Sequence, residues 1–485
     1  MRGLSNLNLK QAQRALGCVG PLLVAALAVG CSGHRPAWEL PPPAVQQAPI
    51  VQPGALTRQS LENGLTIVVL EDHRLPQASL GLTVRRGAGA VPRSQAGLAE
   101  LTAEVMNRGA GDLDALGLAR AVDSIGASLG VSSGWDTMDV NVSGLSRDLD
   151  ALLEILSDVV LAPRFEKDEI EKARSEHLAA LEAAHDSPAT LARWHAAAAL
   201  YGEHRYGLPQ SGSAETVAAL DAGAIGALHA KWFVPENAIL YVSGDVDPGF
   251  FLDRARALFG AWERGHEIGN TPPPPVPAPV STRIVIADDP DLVQARIILC
   301  HDGLARTDDR RIAASLVNGT LGGSGFSSRL MKILRSDQGL TYGVGSGFAL
   351  RRQPGPFAIS TFTRVAETRR AVDILLAELE AIRGDRPQTD EELSKAKSFN
   401  VGQFGLGLET SAAVMGSLVD LDVYGLPEDS LDSYRERVGA VTLDQAHAIA
   451  HELLHPDRLV IFLLGPAELL GPQFEDLGEI EIVEP

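Results

Sequence analysis

Cysteine and aromatic residues are scarce in this chain of 485 residues: there are three cysteines, and aromatic side chains make up 5% of the composition. Cys18 lies within an apolar segment near the start of the chain, and Cys31 lies directly after that segment. If that segment is processed, Cys300 is the only remaining thiol and no internal disulfide can form. The folded chain must therefore be stabilised mainly by packing of Ala, Leu and Val.

Positive charge is also in short supply. The chain has 42 Lys and Arg against 62 Asp and Glu, which gives a formal net charge of −20. Such a surface repels phosphate backbones, so nucleic-acid binding is excluded as a function, whereas basic peptides are tolerated or attracted. With 45% hydrophobic residues the composition is that of a globular protein, and the length predicts two to four domains.

The first 30 residues have the pattern of an export signal. Basic residues precede an apolar run over residues 15–29, which is too short and too interrupted by Gly and Pro to span a membrane stably. The small residues before Cys31 resemble the lipobox of bacterial lipoproteins, although Ala28 stands where that motif usually has Leu. We expect residues 1–30 to be removed and Cys31 to be lipidated, giving a lipoprotein anchored in the outer membrane and facing the periplasm. The alternative is plain secretion.

Two proline-rich segments divide the remaining chain. Residues 31–55 form an extended tether, and residues 269–281 form a linker between pieces of similar length, 56–268 and 282–485. The pieces resemble each other. A strand pattern followed by Leu-x-Gln-Ala recurs at an offset of 217, and a strand pattern followed by Gly recurs near the end of each piece at an offset of 221. The sequence therefore predicts an internal duplication.

Helical and strand patterns alternate within each piece. Leucines and valines spaced at i, i+3, i+4 and i+7 predict a helix over residues 149–160 that Pro163 ends, and a capping box at Thr389 and Glu392 predicts a helix through about Val401. Strands are predicted at 66–70, 135–142, 238–242, 284–287 and 459–464. The expected fold class is α+β: two homologous lobes, each a mixed β-sheet with helices packed mainly on one face.

Several motifs together resemble one family. They are the segments 61–69, 97–99, 152–174, 321–330 and 334–342, with Gly-Leu-Ala at 97–99 and Gly-Leu-Thr-Tyr at 339–342. These segments resemble the pitrilysin/insulinase zinc metallopeptidases, in particular the branch that is similar to mitochondrial processing peptidase. The resemblance covers nearly all of residues 56–470. It implies that the two lobes form a half-clam and that the substrate is a peptide.

The zinc motif of that family is degenerate here. The family needs His-x-x-Glu-His on the helix after Gly-Leu-Ala, because two imidazoles one turn apart hold Zn²⁺ and the Glu activates its water. This chain has Glu100 and Glu104 at the two His positions and Ala103 at the position of the general base. The resemblance places the third ligand near Ala180. We therefore expect no metal in this chain, with zinc supplied by a partner subunit.

Glu100 and Glu104 leave one other metal hypothesis open. Carboxylates at i and i+4 can share a hard cation, which needs further oxygen ligands, and Glu176 and Glu182 lie on the candidate helix. The simpler interpretation is a solvated acidic face.

The C-terminal motif of the family is present. The resemblance implies that Arg335 and Tyr342, seven residues apart, present a guanidinium and a phenol to the substrate carbonyl and stabilise its oxyanion. The alternative is that Arg335 only favours the end of a helix and Tyr342 packs in a strand.

Two other motifs match catalytic patterns. His451-Glu452-Leu-Leu-His455 has the zincin spacing, but Pro456 follows directly, so His455 should lie at the end of its helix, where a rigid ligand pair is not expected. The segment 130–134 fits Gly-x-Ser-x-Gly, but a predicted strand follows it instead of the helix that a nucleophile elbow requires.

These features predict a non-catalytic subunit that pairs with a zinc-bearing homologue and helps it to bind and cleave peptides in the cell envelope. The first alternative is a lipoprotein that binds peptides or serves as a scaffold without peptidase chemistry. The second is an independent zinc peptidase that uses His451 and His455.

Overall fold

The computed structural model describes residues 49–265 and 274–484. The predicted signal peptide, the lipidation site at Cys31, most of the tether and part of the linker lie outside these residues. Within them, no helix combines the length and apolar character that crossing a bilayer requires.

The first half of the chain forms a mixed six-stranded sheet with the order β1-β2-β8-β3-β7-β6. Strands β2 and β8 pair in parallel and the remaining neighbours are antiparallel. Two further strands form a short hairpin. The strands of this half are β1 (Leu56–Ser60), β2 (Thr66–Glu71), β3 (Gln77–Val84), β4 (Gly109–Ala110), β5 (Leu113–Asp114), β6 (Ser128–Ser133), β7 (Met138–Leu145) and β8 (Ala238–Gly244).

The second half forms another mixed six-stranded sheet with the order β11-β12-β10-β13-β9-β14. Its strands are β9 (Arg283–Asp288), β10 (Gln294–Asp302), β11 (Val344–Phe348), β12 (Pro356–Arg364), β13 (Val460–Gly465) and β14 (Ile480–Val483). Strand β13 runs parallel to β9 and antiparallel to β10, as β8 does to β2 and β3. Five strands therefore repeat in the same spatial order, as expected of a duplicated chain.

Helices cover the sheets. In the first half they are α1 (Leu98–Met106), α2 (Ala115–Ser124), α3 (Leu149–Leu161), α4 (Lys167–His185), α5 (Pro188–Tyr201), α6 (Ala214–Ala218), α7 (Ala222–Trp232) and α8 (Pro248–Phe259). In the second half they are α9 (Arg311–Asn318), α10 (Thr368–Arg383), α11 (Asp390–Leu406), α12 (Ser411–Tyr424), α13 (Tyr434–Ala440), α14 (Leu443–Leu453) and α15 (Ala467–Phe474). The helices predicted at 149–160 and after Thr389 are both present, and the Thr389 capping box is formed. The predicted mixed α+β lobes are confirmed.

Each half also contributes a helix to the other half's sheet. Leu191 and Leu200 of α5 pack against Ile298 and Phe462 on the second sheet, and Leu418 of α12 packs in the same way on the first sheet. The central strands are therefore buried on both faces, which explains their continuous apolar runs. The two lobes share their cores, so their relative placement depends on side-chain packing as well as on the linker.

Candidate functional site

Glu100 and Glu104 lie one turn apart on α1, which starts directly after Gly97. Gly97 has a φ of +94°, and a β-carbon there would come within 2.7 Å of the carbonyl oxygen of Ser211. Only glycine therefore permits the loop that contains Ser211, the 211 loop, to approach the start of this helix so closely. The approach brings the Ser211 carbonyl to the start of the helix that carries the two carboxylates.

His177 completes this cluster from α4. Four residues of α4, Ile170, Ala173, His177 and Leu181, are buried along one face, and His177 is 4% exposed. Its Nδ1 lies 2.9 Å from Oε1 of Glu104, and its Nε2 lies 2.8 Å from the carbonyl oxygen of Ser211. One ligand atom from each of Glu100, Glu104 and His177 lies within 4.8 Å of the others.

The hydrogen bond to Ser211 determines the tautomer of His177. A carbonyl oxygen only accepts hydrogen bonds, so Nε2 carries the proton and donates it to Ser211. In the neutral ring, Nδ1 then presents a lone pair to a carboxylate oxygen of Glu104. Two acceptors face each other at 2.9 Å unless a proton or a metal cation lies between them. Metal-bound histidines have the same arrangement, with the second ring nitrogen donating to a backbone carbonyl.

Burial and charge shift the protonation of this cluster. Burial raises the pKa of Glu100, as does the charge of Glu104, whereas His177 and Arg205 oppose the shift. Burial lowers the pKa of His177, but its contacts with Glu104 and Ser211 outweigh that effect, so the pKa is raised overall. The two carboxylates are partly buried and His177 is buried, so this face of α1 is only partly solvated.

The expectation that the third ligand position falls near Ala180 is also wrong. Ala180 is exposed and His177, one turn earlier, occupies the place beside Glu100. Glu176 instead pairs with Arg108 at 2.5 Å, and Glu182 is exposed. The sequence contained a signal for His177, which lies on the apolar face of an otherwise polar helix with the spacing 170, 173, 177 and 181.

Two carboxylates and an imidazole are suitable donors for a divalent cation. The group that activates water in the family is missing here. Ala103 stands at its position, is buried, and has no side chain that can accept a proton. The cluster thus retains donors that fit a metal ion but lacks the general base that hydrolysis requires.

Arg335 and Tyr342 form a second cluster, on the other lobe. Arg335 lies on a π-helical segment, Met331–Asp337, and its Nη1 donates to the carbonyl oxygen of Tyr342 at 3.1 Å. Its guanidinium lies 4.6 Å from the ring centre of Phe326 and 5.8 Å from that of Tyr342. The two rings are 71% and 80% exposed, so Tyr342 does not pack in a strand. Sequence reasoning missed Phe326, which directly follows the glycine loop, residues 322–325.

The competing motifs do not form sites. Helix α14 ends at Leu453, so His451 and His455 do not share it, and Glu452 forms an ion pair with Arg310. The ring of His455 contacts His301, with centres 5.0 Å apart. The Gly-x-Ser-x-Gly segment lies in the β6–β7 hairpin. Among the described residues, only Glu100, Glu104 and His177 form a group with metal-ligand spacing.

Comparison with known proteins places both halves in one family. Residues 66–213 match the family model described as insulinase (peptidase family M16), and residues 219–400 match the model described as peptidase M16 inactive domain. The two matches together cover more than half of the chain.

Individual relatives span nearly the whole chain. An uncharacterized zinc protease of Streptomyces coelicolor is 26% identical over 422 residues, which are 85% of this chain and 90% of that protein. A non-peptidase homolog of Helicobacter pylori is 24% identical over 380 residues, 78% of this chain and 86% of that one. The crystal structure of a peptidase M16 inactive domain from Pseudomonas fluorescens superposes with a TM-score of 0.78 at 26% identity, covering 85% of this chain and 98% of that one.

Proposed function

The chain belongs to the insulinase family, peptidase family M16, and we propose that it is a non-catalytic member that pairs with a zinc-bearing homologue. In this proposal the partner supplies the zinc ion and the general base, and this chain supplies Arg335 and Tyr342 together with part of the peptide-binding surface. The observation that carries it is the contrast between an Arg335 that is held beside the exposed Tyr342 and an Ala103 that stands at the position of the base.

Arg335 is held before any substrate arrives. The carbonyl of Tyr342 and the ring of Phe326 restrain the guanidinium, so little side-chain entropy is lost when a substrate binds. Within the described residues one of its five N–H donors is used in a hydrogen bond. The remaining donors and the exposed phenol of Tyr342 are available to a peptide carbonyl, where they stabilise the negative charge that develops during cleavage.

The first sheet offers a place for the peptide. Strand β6 is the last strand of its sheet and pairs on one side only, with β7. An extended peptide can add to such an edge through main-chain hydrogen bonds. The net charge of −20 favours basic segments.

The proposed setting is the cell envelope. It rests on the export pattern of residues 1–30 and the lipobox-like residues before Cys31. In this setting a lipid on Cys31 anchors the chain to the outer membrane on the periplasmic side, with the paired subunit beside it.

The test uses the full chain co-expressed with each homologue from the same genome that carries an intact His-x-x-Glu-His motif. Cleavage of internally quenched peptides is measured for each co-purifying pair. We expect Arg335→Ala to lower kcat of the active pair by about 10²–10³-fold, the usual effect of removing one oxyanion donor. Tyr342→Phe, which removes only the hydroxyl, should also reduce kcat while KM changes little.

Lys332→Ala is the matched control, because Lys332 is exposed on the same π-helical segment and the change also removes one positive charge. The mass of the complex and the partner's zinc content should be the same for all variants. If a pair forms and cleaves peptides but Arg335→Ala has no more effect than Lys332→Ala, the assigned role is wrong. The chain would then be a binding or scaffold lipoprotein.

A further inference from the structure

We propose that Glu100, Glu104 and His177 bind a divalent transition-metal cation through two carboxylates and one imidazole. In this ligand set the residue types are exchanged relative to the zinc motif of the family, because carboxylates replace both imidazoles on α1 and an imidazole stands on α4. The site would hold the cation without hydrolysing peptides, because Ala103 replaces the base.

The spacing of the donors fits a single cation. Metal-to-ligand distances of about 2.0–2.2 Å place neighbouring donors about 3 Å apart and opposite donors about 4.4 Å apart. Nδ1 of His177 and Oε1 of Glu104 are 2.9 Å apart, and all three ligand atoms lie within 4.8 Å of one another. Small side-chain rotations therefore suffice to bring the three donors onto one ion.

The hydrogen bonds around the donors point to the same conclusion. Because Nε2 of His177 donates to the Ser211 carbonyl, Nδ1 is the ring nitrogen that remains for a metal, and it faces the Glu104 carboxylate. Gly97 keeps that carbonyl in place, since any larger residue would displace the 211 loop. The second ring nitrogen is thus oriented by the backbone, as in known metal sites.

Glu100 lacks a partner of its own. Within the described residues it accepts no hydrogen bond and forms no ion pair, although it is partly buried. Arg205 acts on it at longer range, but the Arg205 guanidinium donates to the carbonyls of Leu208, Pro209 and Gln210 instead. A cation bound between Glu100 and Glu104 would supply the missing charge.

Carboxylate-rich sites accept harder ions than the zinc motif does, so Mn²⁺ as well as Zn²⁺ should bind. The experiment titrates the purified full chain, freed of metal by chelator and dialysis, with Mn²⁺ alone and with Zn²⁺ alone, using isothermal titration calorimetry. Co²⁺ provides a spectroscopic check, because its visible bands report the geometry of nitrogen and oxygen ligands. We expect one ion per chain.

The variants identify the ligands. Glu104→Gln and Glu100→Gln keep the side-chain volume but remove the charge, and each should weaken binding at least about 10-fold. His177→Ala should weaken metal binding to the same extent. If this variant does not fold because His177 is buried, the two glutamine variants still identify the ligands. Glu182→Gln and His185→Ala are controls, because both residues are exposed on the same helix, and their affinities should equal that of the unchanged chain.

Two outcomes would overturn the proposal. In the first, neither ion binds with a Kd below about 1 mM, which means that the cluster is not a metal site. In the second, one ion binds but Glu100→Gln and Glu104→Gln leave its affinity unchanged, which places the ion elsewhere. Neither outcome affects the role proposed for Arg335, which is measured through the partner's zinc.

Discussion

Asp136 connects the two lobes, and its replacement by alanine should be strongly destabilising. It lies in the β6–β7 turn and is 9% exposed. Its Oδ2 accepts a hydrogen bond from the backbone N–H of Arg352 at 2.9 Å and another from the hydroxyl of Tyr424 at 2.8 Å. Tyr424 is the last residue of α12, the helix that the second half contributes to the first sheet. One carboxylate oxygen therefore joins both lobes.

The magnitude follows from these contacts. A hydrogen bond to a charged group contributes about 1.5–3 kcal/mol, so losing two should lower the free energy of unfolding by about 3 kcal/mol or more. Asp136→Asn keeps one acceptor oxygen that can accept both hydrogen bonds and removes only the charge, so its effect should be smaller. The exposed pair of Asp253 with Arg256 provides the control, because Asp253→Ala should cost less than about 0.5 kcal/mol.

Urea unfolding of the full chain, followed by circular dichroism and by tryptophan fluorescence, measures these differences. Trp135 adjoins Asp136 and reports on the lobe interface. The two signals should change together in the unchanged chain, because each half covers the other's sheet. A loss below about 1 kcal/mol for Asp136→Ala would refute the view that this carboxylate holds the lobes together.

Three other measurements test individual residues. Burial lowers the pKa of His301 from 6.5 to about 4. The unfolded chain therefore binds the proton more readily than the folded chain. The free energy of unfolding should fall by about 3 kcal/mol as the pH drops from 6.5 to 4, and His301→Gln should abolish this loss. Burial raises the pKa of Cys300 to about 12, so its thiol should react with Ellman's reagent at pH 8 only after unfolding. His451→Ala should leave the bound-metal content unchanged, since His451 is exposed and separated from the cluster on α1.

The parts of the fold that local patterns determine were predictable. The apolar pattern over residues 149–160 and the capping box at Thr389 specify helices through contacts within the helix itself. Both helices are present. The exchange of α5 and α12 between lobes was not predictable. Helix α5 is rich in alanine, and its sequence does not show that Leu191 and Leu200 pack on a sheet formed some 90 to 270 residues later.

The candidate site was predictable on one helix and not on the other. Glu100, Ala103 and Glu104 were recognised because the motif and its flanking Gly-Leu-Ala are contiguous. The position on α4 depends on how two helices cross. Residue spacing alone does not determine that crossing, so it points to Ala180 and not to His177. Phe326 was missed for a similar reason, since its contact with Arg335 depends on the path of the glycine loop.

The metal proposal and the non-catalytic proposal together predict how the loaded chain behaves. Two carboxylates neutralise the charge of a divalent ion more completely than the family's single one does, so bound water is less acidic, and Ala103 offers no base to remove its proton. The full chain loaded with Zn²⁺ or Mn²⁺ should therefore cleave quenched peptides no faster than Glu104→Gln does. If the loaded chain cleaves them and Glu104→Gln abolishes cleavage, the chain is an enzyme. The non-catalytic proposal then fails, while the cation site stands.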